Sequence, residues 1–143
     1  MTEPSSSPAI CNCLALRQAA RQVTQFYDRF LAPSGVRATQ YSILAKLKRA
    51  GPMSINALAA DMVMDRTTLG RNILPLQRDG LIAIGRSASD RRSKELRLTR
   101  AGAARFAAAF AAWTRAQASF DRTFGAERAR DLRHLMHDVT QAV

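Results

Sequence analysis

Only two of the 143 residues are cysteine, and they stand one residue apart, at Cys11 and Cys13. That leaves no material for a disulfide framework. Aromatic residues are scarce too, at 6% against 47% hydrophobic overall, so the core has to be built mainly from aliphatic side chains and alanine. Such a core favours packed helices over a β-sandwich or barrel. No apolar run approaches the roughly 20 residues that a membrane span needs. The opening "MTEPSSSPAI" has no basic n-region, and Arg17 interrupts the only apolar stretch that follows, so it does not read as a signal peptide. The expected location is the cytoplasm, where thiols stay reduced. No nucleophile with a base, no phosphate loop and no paired carboxylates stand out, so neither an enzyme nor a bound cofactor is expected.

Acidic residues are also in short supply. Eleven Asp and Glu face 22 Lys and Arg, a formal net charge of +11. A field of that sign steers a protein toward polyanions, and without a membrane-spanning or anchoring segment the polyanion of choice is nucleic acid.

The chain is long enough for a single core. Residues 1–9, rich in Ser and Pro, read as a disordered tail. From Ile10 to Leu31, Leu16, Ala20, Val23, Tyr27 and Phe30 recur at helical spacing and form one apolar stripe. "APSGV" breaks the helix at Pro33 and Gly35, and a second helix is expected from a Thr39 cap through Tyr41, Leu44 and Leu47 to the breaker Gly51-Pro52. Ser54 and Asp65 can then cap two short helices, the first carrying Ile55, Leu58, Ala59 and Met62, the second Leu69, Ile73 and Leu76. Two short helices joined by a few residues have the outline of a helix-turn-helix. "LIAIGRS" and "KELRLT" follow as strand-like runs around the charged loop "ASDRRS", which makes a hairpin, or wing. Thr99 caps a long alanine-rich helix with Phe106, Phe110, Trp113 and Phe120 along one stripe, and a last helix runs from about Ala126 to Thr140. The expected fold class is mainly α with a small β-hairpin, and there is no internal repeat.

At about 100° per residue, the side of the 65–79 helix opposite Leu69, Ile73 and Leu76 carries Thr67, Arg71 and Arg78, with Thr68 on the flank and Arg66 beside the N-terminus. Arg can bond guanine bidentately and Thr can meet phosphates, base edges or a thymine methyl, so this face suits the major groove. Pro75 interrupts the ideal helix, because it cannot donate to the Arg71 carbonyl. The wing supplies Asp90, Arg91, Arg92 and Lys94, and an Arg at a hairpin tip fits the narrow, negative minor groove. Between Lys46 and Thr99, eleven basic residues face five acidic ones. A rival reading uses the same surface without sequence preference, as an architectural nucleic-acid-binding protein does.

The order helix, helix, helix-turn-helix, "DGLI", a hairpin with "SDRRSKELRLT", then long helices resembles the multiple antibiotic resistance regulator (MarR) family of winged helix-turn-helix transcription factors. The resemblance covers the chain from Ile10 onward, and the wing "D-x-R" joined to "LT-x-x-G" is its most specific part. It implies a homodimer whose first and last helices intertwine: residues 10–36 as an N-terminal dimerisation helix, 37–99 as the DNA-binding region, and 100–143 as C-terminal dimerisation helices. It also implies that the 65–79 helix reads double-stranded DNA, that Arg92 probes the minor groove while Asp90 braces the wing, and that a repressor is released from a pseudo-palindromic operator by an effector. An aromatic stripe too large for a small winged domain to cover agrees with a partner chain.

The cysteines bear on the signal. Residues two apart in a helix point about 200° away from each other, so Cys11 and Cys13 cannot bridge within one regular helix. A thiophilic metal would need these thiolates together with His134 and His137, three apart on the last helix. "CLALRQAARQVTQFYD" is similar to the first helix of the organic hydroperoxide resistance regulators (OhrR), a branch of the same family. There Cys13 falls on the reactive cysteine and Tyr27 on one tyrosine that bonds it, while Arg17 stands where a second tyrosine is expected. Tyr27 lies about 21 Å along the helix from Cys13 and could reach it only from a partner chain. Cys13, in step with Leu16 and Ala20, also reads as a small core residue. A small-molecule effector, such as an aromatic acid, could instead be held by Arg17, Tyr41 and Trp113, each of which also suits ordinary packing or a solvated surface.

Overall fold

A computed structural model of the protein describes residue 7 and residues 9–143. The tail expected over 1–9 therefore lies almost wholly outside the described residues. Helix α1 (Asn12–Leu31) begins with Cys11 as its cap: the Cys11 Sγ accepts the Leu14 N–H at 3.3 Å, from an extended backbone at φ −120°. Cys11 is thus not helical, so regular helix geometry does not govern the Cys11–Cys13 pair, and both cysteines are free thiols. A 3₁₀ turn (Ala32–Ser34) and Gly35, at φ 78°, then reverse the chain.

Helix α2 (Ala38–Ala50) starts before Thr39, which is not its cap. Its start is held from both sides: Asp28 Oδ1 of α1 accepts the Ala38 N–H at 2.7 Å, and Gln40 Oε1 of α2 itself reaches back to the Arg37 N–H at 3.0 Å. A carboxylate from α1 thereby does what a local hydroxyl was expected to do, and joins the two helices at the point where the chain turns. Helices α3 (Ile55–Asp61) and α4 (Arg66–Arg78) follow, capped as expected by Ser54 and Asp65. The turn between them carries Val63 at φ 53°, the one residue other than glycine in the left-handed region among the described residues.

The hairpin of β2 (Ile82–Arg86) and β3 (Lys94–Leu98) has the expected alternation, with Ile84 opposite Leu96. A third strand, β1 (Met53–Ser54), pairs with the other edge of β3, Met53 against Leu96. Two residues are too few to carry a periodicity, so nothing in the sequence announces this strand. Helices α5 (Arg100–Phe124) and α6 (Ala126–Ala142) complete the chain.

The fully buried side chains, Leu31, Ile43, Leu44, Leu58, Leu69, Leu76, Ile82 and Leu96, come from α1, α2, the helix-turn-helix and both long strands, and make one aliphatic core. Along α5 the buried ridge is Ala109, Ala112 and Ala116, not the aromatic stripe. Small side chains let α1 and α2 approach α5 closely, and the rings are displaced to the flanks. Phe106, Trp113 and Phe120 are half-buried there, and Phe110 is 49% exposed. The α1 stripe is likewise covered by this chain only in its second half, since Leu16 and Ala20 remain exposed while Val23, Tyr27 and Phe30 are half-buried. No helix among the described residues is long and apolar enough to cross a membrane.

Candidate nucleic-acid interface

Helix α4 owes its placement to the residues at its start. Asp65 Oδ1 accepts the Thr68 N–H at 2.7 Å and Oδ2 accepts the Thr68 hydroxyl at 3.0 Å. Those bonds favour the carboxylate and hold the Asp65 pKa below its ordinary value. One helix earlier, Lys46 Nζ meets Asp61 Oδ2 at 2.6 Å and ties α2 to α3. With Leu69, Ile73 and Leu76 buried, the opposite side of α4 is fixed outward. Thr67, Arg71 and Arg78 are exposed on it, with Thr68 exposed on the flank and Arg66 exposed beside the N-terminus. Thr68 has a second role that its place on the flank does not reveal, since its hydroxyl proton is directed to Asp65. The helix runs on through Pro75 to Arg78.

The outward line is Thr67, Arg71, Leu74 and Arg78, and Leu74 is 58% exposed. The same 100° spacing that selects Thr67, Arg71 and Arg78 selects Leu74 as well. A search of that face for polar groups alone misses it.

The wing turn is organised by one carboxylate. Asp90 Oδ1 accepts the Arg92 N–H at 3.0 Å, its Oδ2 accepts the Ser93 hydroxyl at 3.2 Å, and its backbone carbonyl accepts the Ser93 N–H at 3.0 Å. Arg91, Arg92 and Lys94 are exposed around it. Neither these three nor Arg66, Arg71 and Arg78 take part in an ion pair among the described residues. Six cations thus stand free for an external anion.

The "LT-x-x-G" segment anchors the wing to α5. The Thr99 hydroxyl donates to the Gly80 carbonyl at 2.6 Å and accepts the Gly102 N–H at 3.0 Å. A Cβ on Gly102 would fall inside the Leu81 carbonyl, so only glycine lets α5 start against β2.

The effector candidates separate into two groups. Tyr41 is buried and stacks between Phe106, with ring centres 5.5 Å apart, and Trp113 at 5.8 Å. A cavity of about 210 Å³ brings Tyr27, Tyr41 and Trp113 together with Val23, Thr24 and Ser42, the last two being residues that no sequence pattern singles out. Burial raises the pKa of both tyrosines, and at Tyr27 the nearby Asp121 adds to the rise while Arg133 opposes it. The Tyr27 hydroxyl donates to Gln117 Oε1. Cys13 and Arg17 are exposed on α1 and do not line this cavity. Cys11 and Cys13 are free thiols, and no three His, Cys, Asp or Glu side chains gather as a metal site among the described residues, so His134 and His137 are not brought to the cysteines within one chain. A second, polar cleft of about 490 Å³ joins α1 and α2 to α4 through Asp28, Arg37, Gln40, Arg71 and Asn72.

Three solved structures share this architecture. The M. tuberculosis transcriptional regulator MosR in complex with DNA is 36% identical, over 92% of this chain and 98% of that one, with a TM-score of 0.79. The transcriptional repressor CouR bound to a 23-mer DNA duplex is 23% identical over 98% and 99%, with a TM-score of 0.81. A mutant MarR from E. coli complexed with operator DNA is 17% identical over 96% and 99%, also at 0.81. The last two speak for the fold alone. Among curated proteins no sequence matches the chain. The model of the MarR family matches residues 36–94, the segment that holds the helix-turn-helix and most of the wing. With that match and the full-length relative at 36% identity, the chain belongs to the MarR family.

Proposed function

We propose that the protein is a sequence-specific, DNA-binding transcriptional regulator of the cytoplasm that acts as a homodimer and represses from a pseudo-palindromic operator. The observation that carries this reading is the free, outward row of Thr67, Arg71 and Arg78 on α4, beside a wing whose arginines are presented by Asp90. The relative MosR, 36% identical and solved in complex with DNA, supports it. Dimerisation is supported by apolar side chains that one chain leaves open on both terminal helices: Leu14 is 50% exposed on α1 and Leu135 is 59% exposed on α6. In such a dimer the two α4 helices meet two half-sites about one helical turn apart, which is why the operator should be palindromic.

Two release signals fit, and each rests on its own residues. A small aromatic acid suits the cavity of Tyr27, Tyr41 and Trp113, which lies where α1, α2 and α5 meet and can shift the winged region against the long helices. An oxidant suits Cys13, exposed on α1 one turn before Arg17. The hydroperoxide-regulator version of that chemistry needs Tyr27 to bond the thiolate from the partner chain, and here its hydroxyl is already given to Gln117.

The test is in vitro selection of duplex DNA followed by a gel shift at fixed salt. A preferred palindrome whose recognition fails in Arg71→Ala supports the reading. Uniform, salt-dependent binding of every duplex would assign the protein to the architectural class instead. Adding organic hydroperoxide or aromatic acids to the wild type and to Cys13→Ser then separates the two signals.

A further inference from the structure

Two exposed residues of α4 lie outside the buried core. Gly70 is inside the helix with an ordinary right-handed backbone, and a Cβ built there meets nothing within 4 Å. A helix interior is weaker at glycine than at alanine, so the fold itself would be better served by a side chain. Leu74, one turn on, is 58% exposed in the centre of the outward line. Both line a hollow of about 300 Å³ in which Ile55, Ile73, Leu74 and Ile84 supply an apolar side and Thr67 and Gln77 a polar one, with Arg66 also on its wall.

The charge around this apolar patch identifies what covers it. Arg66, Arg71 and Arg78 are exposed and outside any ion pair among the described residues, so the surface that approaches must be polyanionic. A polyanion with an apolar group to offer at helix depth is the major groove, where the only apolar group on any base edge is the 5-methyl of thymine. We propose that Gly70 and Leu74 form a reading position for that methyl: the missing side chain at 70 lets the helix seat close to the base edge, and Leu74 gives the methyl an apolar contact. The inference rests on the DNA-binding function proposed above and adds to it a required thymine in each half-site. Arg66 and Arg71 then supply charge and hydrogen bonds around a position chosen by shape.

The experiment uses the whole 143-residue chain and the duplex it selects. Each thymine of one half-site is replaced in turn by deoxyuridine, which keeps every hydrogen-bonding group and removes only the methyl. At one position this should weaken wild-type binding about fourfold, the worth of one buried methyl group. Leu74→Ala should bind the thymine and uracil duplexes equally. Gly70→Ala should melt about 3 °C higher than wild type and yet bind the selected duplex about tenfold more weakly. Leu74 is exposed enough for its variant to fold, and circular dichroism checks this. A Leu74→Ala protein that keeps the full uracil penalty, a Gly70→Ala protein with wild-type affinity, or a selected site with no uracil-sensitive thymine would overturn the proposal while leaving sequence-specific binding in place. If the wild type selects no sequence at all, the proposed function falls and this inference with it.

Discussion

Asp65 holds Thr68 twice, by its backbone N–H at 2.7 Å and by its hydroxyl at 3.0 Å, and so fixes the first turn of α4, the helix proposed to face DNA. The carboxylate is an acidic charge in a row of cations. A group that would repel phosphate is kept there because it sets the direction of Thr67 and Arg71 behind it.

Removing the cap should cost both stability and recognition. Asp65→Ala is expected to lower the melting temperature by a few degrees, and Asp65→Asn to restore much of that loss, because an amide oxygen can still accept from Thr68. The sign of the pH effect follows from the lowered pKa. The folded state binds the Asp65 proton less readily than the unfolded chain, so this contribution is fully present above the ordinary value of 3.8 and is lost as pH falls below it. Acid melts of wild type and Asp65→Ala should therefore differ most above the ordinary carboxylate value and converge as pH falls through the lowered pKa of the folded state.

Val63 occupies the left-handed region at φ 53° with 72% of its surface exposed. A β-branched side chain is costly there and buries little in return. Val63→Gly should stabilise the protein by about 0.5–1 kcal/mol, measured by urea unfolding, since relief of the clash outweighs the added freedom of the unfolded chain. A fall in stability would show that the added freedom of the unfolded chain outweighs the relief.

Gly102 should tolerate no side chain. Its Cβ would overlap the Leu81 carbonyl, which belongs to backbone and cannot step aside, so Gly102→Ala should cost about 3 kcal/mol or more. Thermal melting reads this directly. The same variant should fail to bind DNA, because α5 and the wing are joined at Thr99 and Gly80.

The wing and α4 should fail in different ways. Arg92→Ala and Lys94→Ala are expected to weaken binding to all duplexes and to flatten the salt dependence by about one unit of slope for each phosphate left without its cation. Arg71→Ala should cost about 10- to 100-fold on the selected site and little on other DNA, if its partner is a guanine edge. Salt titrations of the three variants on one selected and one scrambled duplex distinguish these patterns.

Much of this was legible in the sequence because it is local. The caps Ser54, Asp65 and Thr99, the breakers at Pro33 and Gly51, and the hairpin alternation of Leu96 and Leu98 all act within a few residues, and the structure has each of them. What could not be read depends on partners distant in the chain. Asp28 caps α2 from another helix, β1 exists only because β3 offers it an edge, and Gly102 is required only because Leu81 crosses it. The α5 stripe differs from its expected place for a similar reason. Periodicity marks where the large apolar side chains fall, but packing distance is decided by Ala109, Ala112 and Ala116. At the interface, polarity is a guide that finds Arg71 and passes over Leu74.

The most direct test compares affinities at one salt concentration for a selected duplex and a scrambled one, in wild type and Arg71→Ala. If α4 reads sequence, the wild type should prefer the selected duplex by about 10³-fold or more, and Arg71→Ala should lose a large part of that ratio while keeping its affinity for scrambled DNA. Equal wild-type affinity for both duplexes, or a ratio unchanged in Arg71→Ala, would contradict the account.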